Sequence, residues 1–210
     1  MKQNNPKDIF NNYAKQYQDK FMDFDLHNDS FDIFCEIINT RNPSVLEIGC
    51  GPGNITKYIL DKRPDFNILG IDIAPKMIEL AKINNPSAIL KKMDCKHISN
   101  LELSFDAILC GFTLPYLNKE EVFQLIEDAS VLLKPNGILY LSTMEDSYEK
   151  SKILTSSSIK DSGLFTYYHE AEYLSEFLQK NNFKITNTIR KDYPEPKDDS
   201  NDLVIIAKKI

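Results

Sequence analysis

The stretch Val45-Leu46-Glu47-Ile48-Gly49-Cys50-Gly51-Pro52-Gly53-Asn54-Ile55-Thr56 constrains this chain more than any other. An apolar strand runs without interruption into three glycines at alternate positions. A helical apolar stripe (Ile55, Tyr58, Ile59) begins directly afterwards, with Asn54 placed to cap it. Such a turn lets the backbone reverse sharply and leaves no side chain between main-chain N–H groups and a ligand. By itself it predicts a nucleotide-like ligand at a helix N-terminus and no more.

The chain around it alternates. Strands are expected over residues 45–48, 67–71, 88–90, 105–110 and 138–142. Between them, a helix over 54–62 ends at Arg63-Pro64-Asp65, and another opens at Pro75, turns Met77, Leu80 and Ala81 inward, and stops at Asn84-Asn85-Pro86. Asn118 and Glu121 are spaced as a capping box ahead of Val122, Phe123, Ile126 and Ala129, and Lys134-Pro135-Asn136-Gly137 reads as a tight turn into the fifth strand. Strands alternating with helices predict a doubly wound α/β fold, an open and mostly parallel sheet covered on both faces. Helices are also expected over residues 7–21 (Phe10, Tyr13, Tyr17) and 29–40 (Phe31, Phe34, Cys35, Ile38). Residues 145–163 are polar and serine-rich, a lid or a short surface helix. A helix then resumes at Glu170, followed by strand-like runs at 183–189 and 203–207 with Pro194 and Pro196 between them.

At 210 residues, 42% hydrophobic and 27% charged, this is the composition of an ordinary globular protein with a single core. No apolar run is long enough to span a bilayer, and residues 1–6 lack the apolar centre of a signal peptide, so a cytoplasmic location is expected. The four cysteines (Cys35, Cys50, Cys95, Cys110) are scattered, without C-x-x-C pairs, and read as reduced thiols with no metal. A net charge of −6 argues against a broad basic surface for nucleic acid.

Taken together, the motifs resemble the class I S-adenosylmethionine-dependent methyltransferases over nearly the whole chain. The residues that carry the resemblance are Glu47 with Gly49-Cys50-Gly51-Pro52-Gly53, Asp72 ending the second strand in Gly70-Ile71-Asp72-Ile73, and Asp94 just past the third in Lys92-Met93-Asp94-Cys95. Phe105-Asp106-Ala107-Ile108-Leu109-Cys110 and Leu133-Lys134-Pro135-Asn136-Gly137 complete the set. The resemblance implies a Rossmann-like seven-stranded sheet in which the terminal runs form a reversed strand and its neighbour. The single domain, residues 1–210, then divides into an N-terminal helical lid (1–43), a cofactor-binding core (44–143), a variable acceptor-side segment (144–169) and a C-terminal helix and strand pair (170–210). S-adenosyl-L-methionine is the implied cofactor, leaving as S-adenosyl-L-homocysteine.

In that family Asp72 would accept hydrogen bonds from both ribose hydroxyls. Ile73 and Met93 would sandwich the adenine, with Asp94 and Cys95 at its edge. Glu47 would orient the turn or meet the cofactor's ammonium group, which the backbone near Cys110 also contacts. Tyr13 and Tyr17 would fold over the cofactor as a lid. A nicotinamide-dependent dehydrogenase also carries an acidic residue about 20 positions past its glycine turn. Against it stand Asn54 at the sixth position of G-x-G-x-x-G, Glu47 where such enzymes carry an apolar residue, and Asp94 after the third strand.

Methyl transfer is an in-line displacement, so alignment and exclusion of water matter more than any one catalytic group, and the sequence speaks less of the acceptor than of the cofactor. The loop Gly111-Phe112-Thr113-Leu114-Pro115-Tyr116 sits beside the methyl group in this fold, with Phe112 and Tyr116 on the acceptor side. It lacks the N-P-P-Y or D-P-P-Y of enzymes acting on bases or glutamine. Tyr167, Tyr168 and His169 form an aromatic cluster that reads as acceptor lining. His169 is either a general base for a hydroxyl or acid or a cap on the helix at Glu170, while His27 and His97 read as ordinary loop residues. The expectation is a small or medium-sized acceptor. The alternatives are a macromolecular acceptor (tRNA or protein) and a non-catalytic subunit that keeps the cofactor.

Overall fold

The computed structural model describes residues 5–154, 163–192 and 200–210. Helices α1 (Pro6–Asn12), α2 (Ala14–Phe21) and α3 (Asn28–Ile37) precede the first strand, β1 (Ser44–Ile48). The alternation then runs α4 (Asn54–Lys62), β2 (Asn67–Asp72), α5 (Pro75–Asn84), β3 (Ile89–Lys92), β4 (Phe105–Cys110), α6 (Lys119–Leu132) and β5 (Leu133–Glu145). Two short strands, β6 (Lys152–Leu154) and β7 (Leu164–Thr166), pair antiparallel, and α7 (Ala171–Lys180), β8 (Phe183–Asp192) and β9 (Asn201–Lys209) close the chain.

Among the described residues, seven strands form one sheet in the order β3-β2-β1-β4-β5-β9-β8. β1 to β5 run parallel, and β9 is antiparallel to both β5 and β8. The reversed strand expected from the terminal runs is therefore β9. The parallel strands read as apolar runs because both faces are covered. On one face Leu46, Ile48, Ile108, Leu139 and Leu141 pack under α6 and α7. On the other, Val45, Ala107, Leu109, Tyr140, Val204 and Ile206 pack under α3 and α4. The carboxyl ends of β1, β2, β3, β4 and β5 share one edge, where the order reverses between β1 and β4, and a crevice at such a switch point is where ligands bind in open α/β sheets.

Several boundaries differ from the sequence expectation for local reasons. The helix expected over residues 7–21 is two helices, because Tyr13 leaves the helical region (φ −110°, ψ 18°). Gly53, left-handed at φ 82°, rather than Asn54 precedes the first turn of α4. The third strand lies a residue or two later, since its register is set by pairing Leu69↔Ile89 through Asp72↔Lys92. Residues 134–137 do not form a free turn: Leu133 already pairs with Phe105, and the excess is taken up as a bulge with Asn136 at φ 65° before Ala107 pairs with Ile138. The described part of residues 145–163, expected as a lid or a short surface helix, holds a 3-10 turn at Tyr148–Lys150 followed by β6. Ser156-Ser157-Ser158, Pro194 and Pro196 lie outside the described residues.

The capping box is present in full. Asn118 Oδ1 accepts from Glu121 N at 2.9 Å, and Glu121 Oε2 accepts from Asn118 N at 2.9 Å. This box starts α6 directly after the loop that follows β4. Asn118→Ala is expected to lower stability by about 1 kcal/mol, seen as a reduced urea midpoint at unchanged slope; an unmoved midpoint would mean the box holds nothing.

Candidate functional site

The three glycines of the turn adopt φ 68°, 53° and 82°, left-handed values that place successive N–H groups around a concave backbone. Their surroundings differ. A Cβ on Gly49 would lie 1.9 Å from Thr113 Oγ1, a hydroxyl that donates to Ile48 O at 3.2 Å, so this glycine is required for the loop after β4 to close down on the turn. A Cβ on Gly51 would meet nothing nearer than a ring carbon of Tyr17 at 3.8 Å. Gly51 therefore faces the crevice, with Tyr17 above it.

Asp72 ties this turn to the second strand. Its Oδ2 accepts from Gly51 N at 2.9 Å and its Oδ1 from Ala74 N at 2.8 Å. Burial pushes its carboxyl above the usual range, while these backbone donors pull the other way. One residue before the turn's strand ends, Glu47 is buried at 2% exposure. Thr56 of α4 donates to its Oε2, whereas Oε1 has no partner. Burial, reinforced by the negative charge of Asp72, raises Glu47 to about 7. A closed carboxyl with one unpaired oxygen is a ready partner for a proton or a cationic ligand.

The neighbouring strand ends complete this side. Met93 N donates to Asp72 O at 2.9 Å, bringing the ends of β2 and β3 together, with Ile73 and Met93 half-buried beside them. Asp94 accepts from Lys96 N at 3.0 Å and so caps the 3-10 segment Cys95–Asn100. Cys50 sends its side chain beneath the turn, against Ile78, Ala81 and Leu90, so only its backbone can line the crevice. Burial raises the Cys50 and Cys110 thiols well above their usual value and Cys95 to about 12, which leaves no thiolate nucleophile here.

The N-terminal helices lie over this edge. Phe10 meets Tyr116 edge-on at 4.9 Å and Tyr17 at 5.9 Å. Asn84 of α5 donates to both Gln18 Oε1 (2.9 Å) and Pro52 O (2.8 Å), joining α2 to the glycine turn, and Asn11 Oδ1 accepts from Lys76 N at 3.0 Å. Tyr17 thus sits where a covering residue is expected, whereas half-buried Tyr13 is the break between α1 and α2.

On the other side of β4, Phe112 takes a left-handed conformation (φ 50°), its N–H held by Ser142 Oγ at 2.9 Å. Burial raises Tyr116 to about 12. Tyr167 N donates to Pro115 O at 2.8 Å while its ring stacks on Tyr148 at 5.9 Å. Two sequence expectations give way here. Tyr168 is 1% exposed and its side chain belongs to the interior rather than to an open pocket. His169 is fully buried, with Nε2 2.9 Å from Leu114 O and Nδ1 against the Tyr173 hydroxyl. A carbonyl only accepts, so Nε2 carries the proton and Nδ1 accepts from Tyr173. Burial lowers its pKa to about 4. With both nitrogens engaged, His169 is neither a general base nor a helix cap; it pins the loop after β4 to α7.

A further residue was missed in the sequence. His27 is 4% exposed rather than a loop residue on the surface. Its Nε2 lies 3.0 Å from Asp202 Oδ2, and its ring lies 4.8 Å from that of Phe112. The signal was Asp202 itself, an acid placed immediately before the apolar run 203–207, at a strand end that faces the same edge.

Comparison with known proteins agrees with this geometry. Residues 45–137 match the family model described as a methyltransferase domain. A release factor glutamine methyltransferase of Fusobacterium nucleatum is 31% identical, covering 80% of this chain and 48% of that protein. An uncharacterized methyltransferase of Oceanobacillus iheyensis is 25% identical, covering 87% of this chain and 84% of the relative. Magnesium protoporphyrin IX methyltransferase of Synechocystis PCC 6803, solved with bound SAM, superposes with a TM-score of 0.71 at 17% identity, covering 97% of this chain and 95% of the other, a likeness of fold. The chain spans 48% and 37% of the lengths of the first two curated relatives it matches.

Glu47 and His169 titrate in opposite senses. The unfolded His169 imidazole takes up a proton below about 6.5 and the folded one only near 4, so His169 lowers stability as the pH falls through that window. Glu47, near 7 when folded and 4.5 ordinarily, loses stability as the pH rises through 7. Each effect amounts to about 2 kcal/mol between pH 7 and pH 5. Urea unfolding of Glu47→Gln should therefore lose stability on acidification relative to the wild type, and His169→Gln should gain it. Three parallel pH profiles would refute both assignments.

Proposed function

Since the chain belongs to the class I methyltransferases, we propose that it transfers a methyl group from S-adenosylmethionine to a small or medium-sized acceptor. The observation that carries this reading is the acidic crevice: Glu47, Asp72 and Asp94 stand at successive strand ends around the glycine turn, and Glu47 keeps a buried, unpartnered oxygen. Carboxylates in this arrangement repel a pyrophosphate and suit a cationic ligand that carries vicinal hydroxyls and an amine. That chemistry separates the sulfonium cofactor from a nicotinamide dinucleotide.

When bound, S-adenosylmethionine supplies an electrophilic methyl group on sulfur. The remaining work falls to the chain. Gly51 admits the ligand to the backbone, and Asp72 has lone pairs left to receive two ribose hydroxyls beyond the bonds it takes from Gly51 and Ala74. Ile73 and Met93 flank the adenine, with Asp94 and Cys95 at its edge. Glu47 balances positive charge from beneath the turn, and the backbone at Cys110 borders the same space. Tyr17, Phe10 and Tyr116 exclude water, which strengthens these contacts and protects the sulfonium. Residues 1–43 serve as the lid, 44–143 as the cofactor core, 144–169 as the segment that shapes the acceptor side and 170–210 as its C-terminal support.

A small acceptor is favoured because the N-terminal helices close over the edge, leaving little room for a folded macromolecule. The acidic net charge of −6 disfavours tRNA. The Fusobacterium relative is named for a glutamine acceptor, yet here the loop after β4 carries Thr113 and buried Leu114, with the Thr113 hydroxyl turned onto Ile48 O, so no side chain is offered to an amide. Among the described residues no helix is long and apolar enough to cross a membrane, and the four free cysteines suit a reducing cytoplasm.

Titration calorimetry is expected to give micromolar binding of S-adenosylmethionine and S-adenosylhomocysteine. Asp72→Ala should weaken it by 10-fold or more, about the value of one charged hydrogen bond. Label from the methyl group should enter a metabolite extract in preference to RNA or protein fractions. Saturable binding of a nicotinamide dinucleotide without binding of either methionine derivative would overturn the proposal.

A further inference from the structure

His27 and Asp202 form a buried pair at the acceptor side of the sheet edge that the proposed function does not use. Asp202 lies at the start of β9, opposite Met144 at the end of β5, and so at the carboxyl edge of the sheet. His27 precedes α3 on the same face. Its carbonyl accepts from Ser30 Oγ at 2.7 Å, Ser30 Oγ meets Tyr140 OH at 2.9 Å, and the next inward residue of β5, Ser142, holds Phe112 N. The ring of His27 is thereby fixed against Phe112, directly across the loop after β4 from the glycine turn.

The hydrogen bonding sets the tautomer. A carboxylate oxygen accepts, so Nε2 carries the proton toward Asp202 and Nδ1 is left with its lone pair. That nitrogen is buried and has no partner. Buried polar atoms in folded proteins are nearly always paired, and His169, the other buried histidine, pairs both of its nitrogens. A nitrogen on a ring held by a carboxylate behind it and unpartnered in front, at the ligand edge, has the geometry of a proton acceptor.

Resting on the methyltransferase reading above, we propose that His27 accepts the proton of the methyl acceptor, that Asp202 positions it, and that the acceptor is a hydroxyl compound of the phenol or enol class. A carboxylate or neutral amine already exposes a lone pair and needs no base, whereas a hydroxyl that ionises well above neutral does. As Nδ1 takes the proton from O–H, the oxygen pair forms the new bond to the methyl carbon and the carbon–sulfur pair stays with sulfur, which leaves as a neutral thioether. The imidazolium, balanced by Asp202, then returns its proton to water. Among the described residues, Asp29 on α3 and Lys191 on β8 lie at this place as well and pair with each other, Lys191 also donating to Leu26 O at 2.6 Å.

Two measurements test this. In nitrogen-15 spectra of protein labelled on its three histidines, assigned with His97→Asn and His169→Gln, the neutral ring of His27 should carry its proton on Nε2; a proton on Nδ1 overturns the proposal, whatever the acceptor. In the transfer assay with labelled S-adenosylmethionine and metabolite extract, His27→Asn should bind the cofactor as the wild type does. It should transfer at least 100-fold more slowly at pH 7, with the gap closing toward pH 10 as the hydroxyl ionises unaided. Asp202→Asn should show a smaller deficit of the same pH dependence, and serves if His27→Asn does not fold. Unchanged transfer in His27→Asn, or a deficit equal at every pH, overturns the role of His27 alone. Absent cofactor binding by the wild type counts against methyl transfer itself.

Discussion

The two backbone donors gathered by Asp72 hold the candidate site in shape. A turn with left-handed glycines at three alternate positions has little reason to stay put, because glycine loses more freedom on ordering than any other residue. The carboxylate of Asp72 receives Gly51 N from the turn and Ala74 N from the start of the next helix, so one side chain fixes both elements against the end of β2. Met93 N on the carbonyl of the same residue adds the end of β3. The crevice at the switch point is thus pre-formed around a single carboxyl group, and the ligand need not order it on binding.

The loop after β4 is held with equal care from several directions. Thr113 reaches back to β1, Ser142 of β5 holds Phe112 N, Tyr167 N takes Pro115 O, and His169 takes Leu114 O. The segment carrying Tyr167 and His169 follows the small β6–β7 pair, so this excursion from the main sheet acts as a strut that anchors the loop from above. The neutral state of His169 suits that role, since a charged ring in a fully buried site would break the link to Tyr173.

How far the sequence reached depended on the range of the interaction that decides each feature. The alternation of strands with helices was legible because hydrophobic period is a local signal; the reversed strand and the cofactor-side acids were expected only through the family resemblance, and the strand order, set by long-range pairing, was not legible. Gly49, Gly51, Asp72 and Asp94 all sit within a few residues of a strand end. The break at Tyr13 and the bulge at 134–137 were not legible, since packing of α2 on α5 and pairing of Leu133 with Phe105 decide them. The histidines show the same limit more sharply. His169 lies in an aromatic run that resembles a pocket, yet its partners Leu114 and Tyr173 place it in the core. His27 lies in an unremarkable polar stretch, and its partner Asp202 is 175 residues away.

Among the described residues, Glu47 Oε1 and His27 Nδ1 are the buried side-chain polar atoms left without a partner. They stand on the same face of the sheet, at the same edge, on opposite sides of the loop after β4. A fold that satisfies nearly every other buried group, including both nitrogens of His169, tolerates such vacancies where a ligand or a proton is to be received. The chemistry of the two atoms is complementary: the carboxyl oxygen suits a positive charge that must be held, and the imidazole nitrogen suits a proton that must be taken away. In the proposed transfer the first would balance the positive charge of the cofactor and the second would take the proton of the hydroxyl. The loop carrying Phe112 stands between them, which makes its four anchors the geometric reference for the reaction.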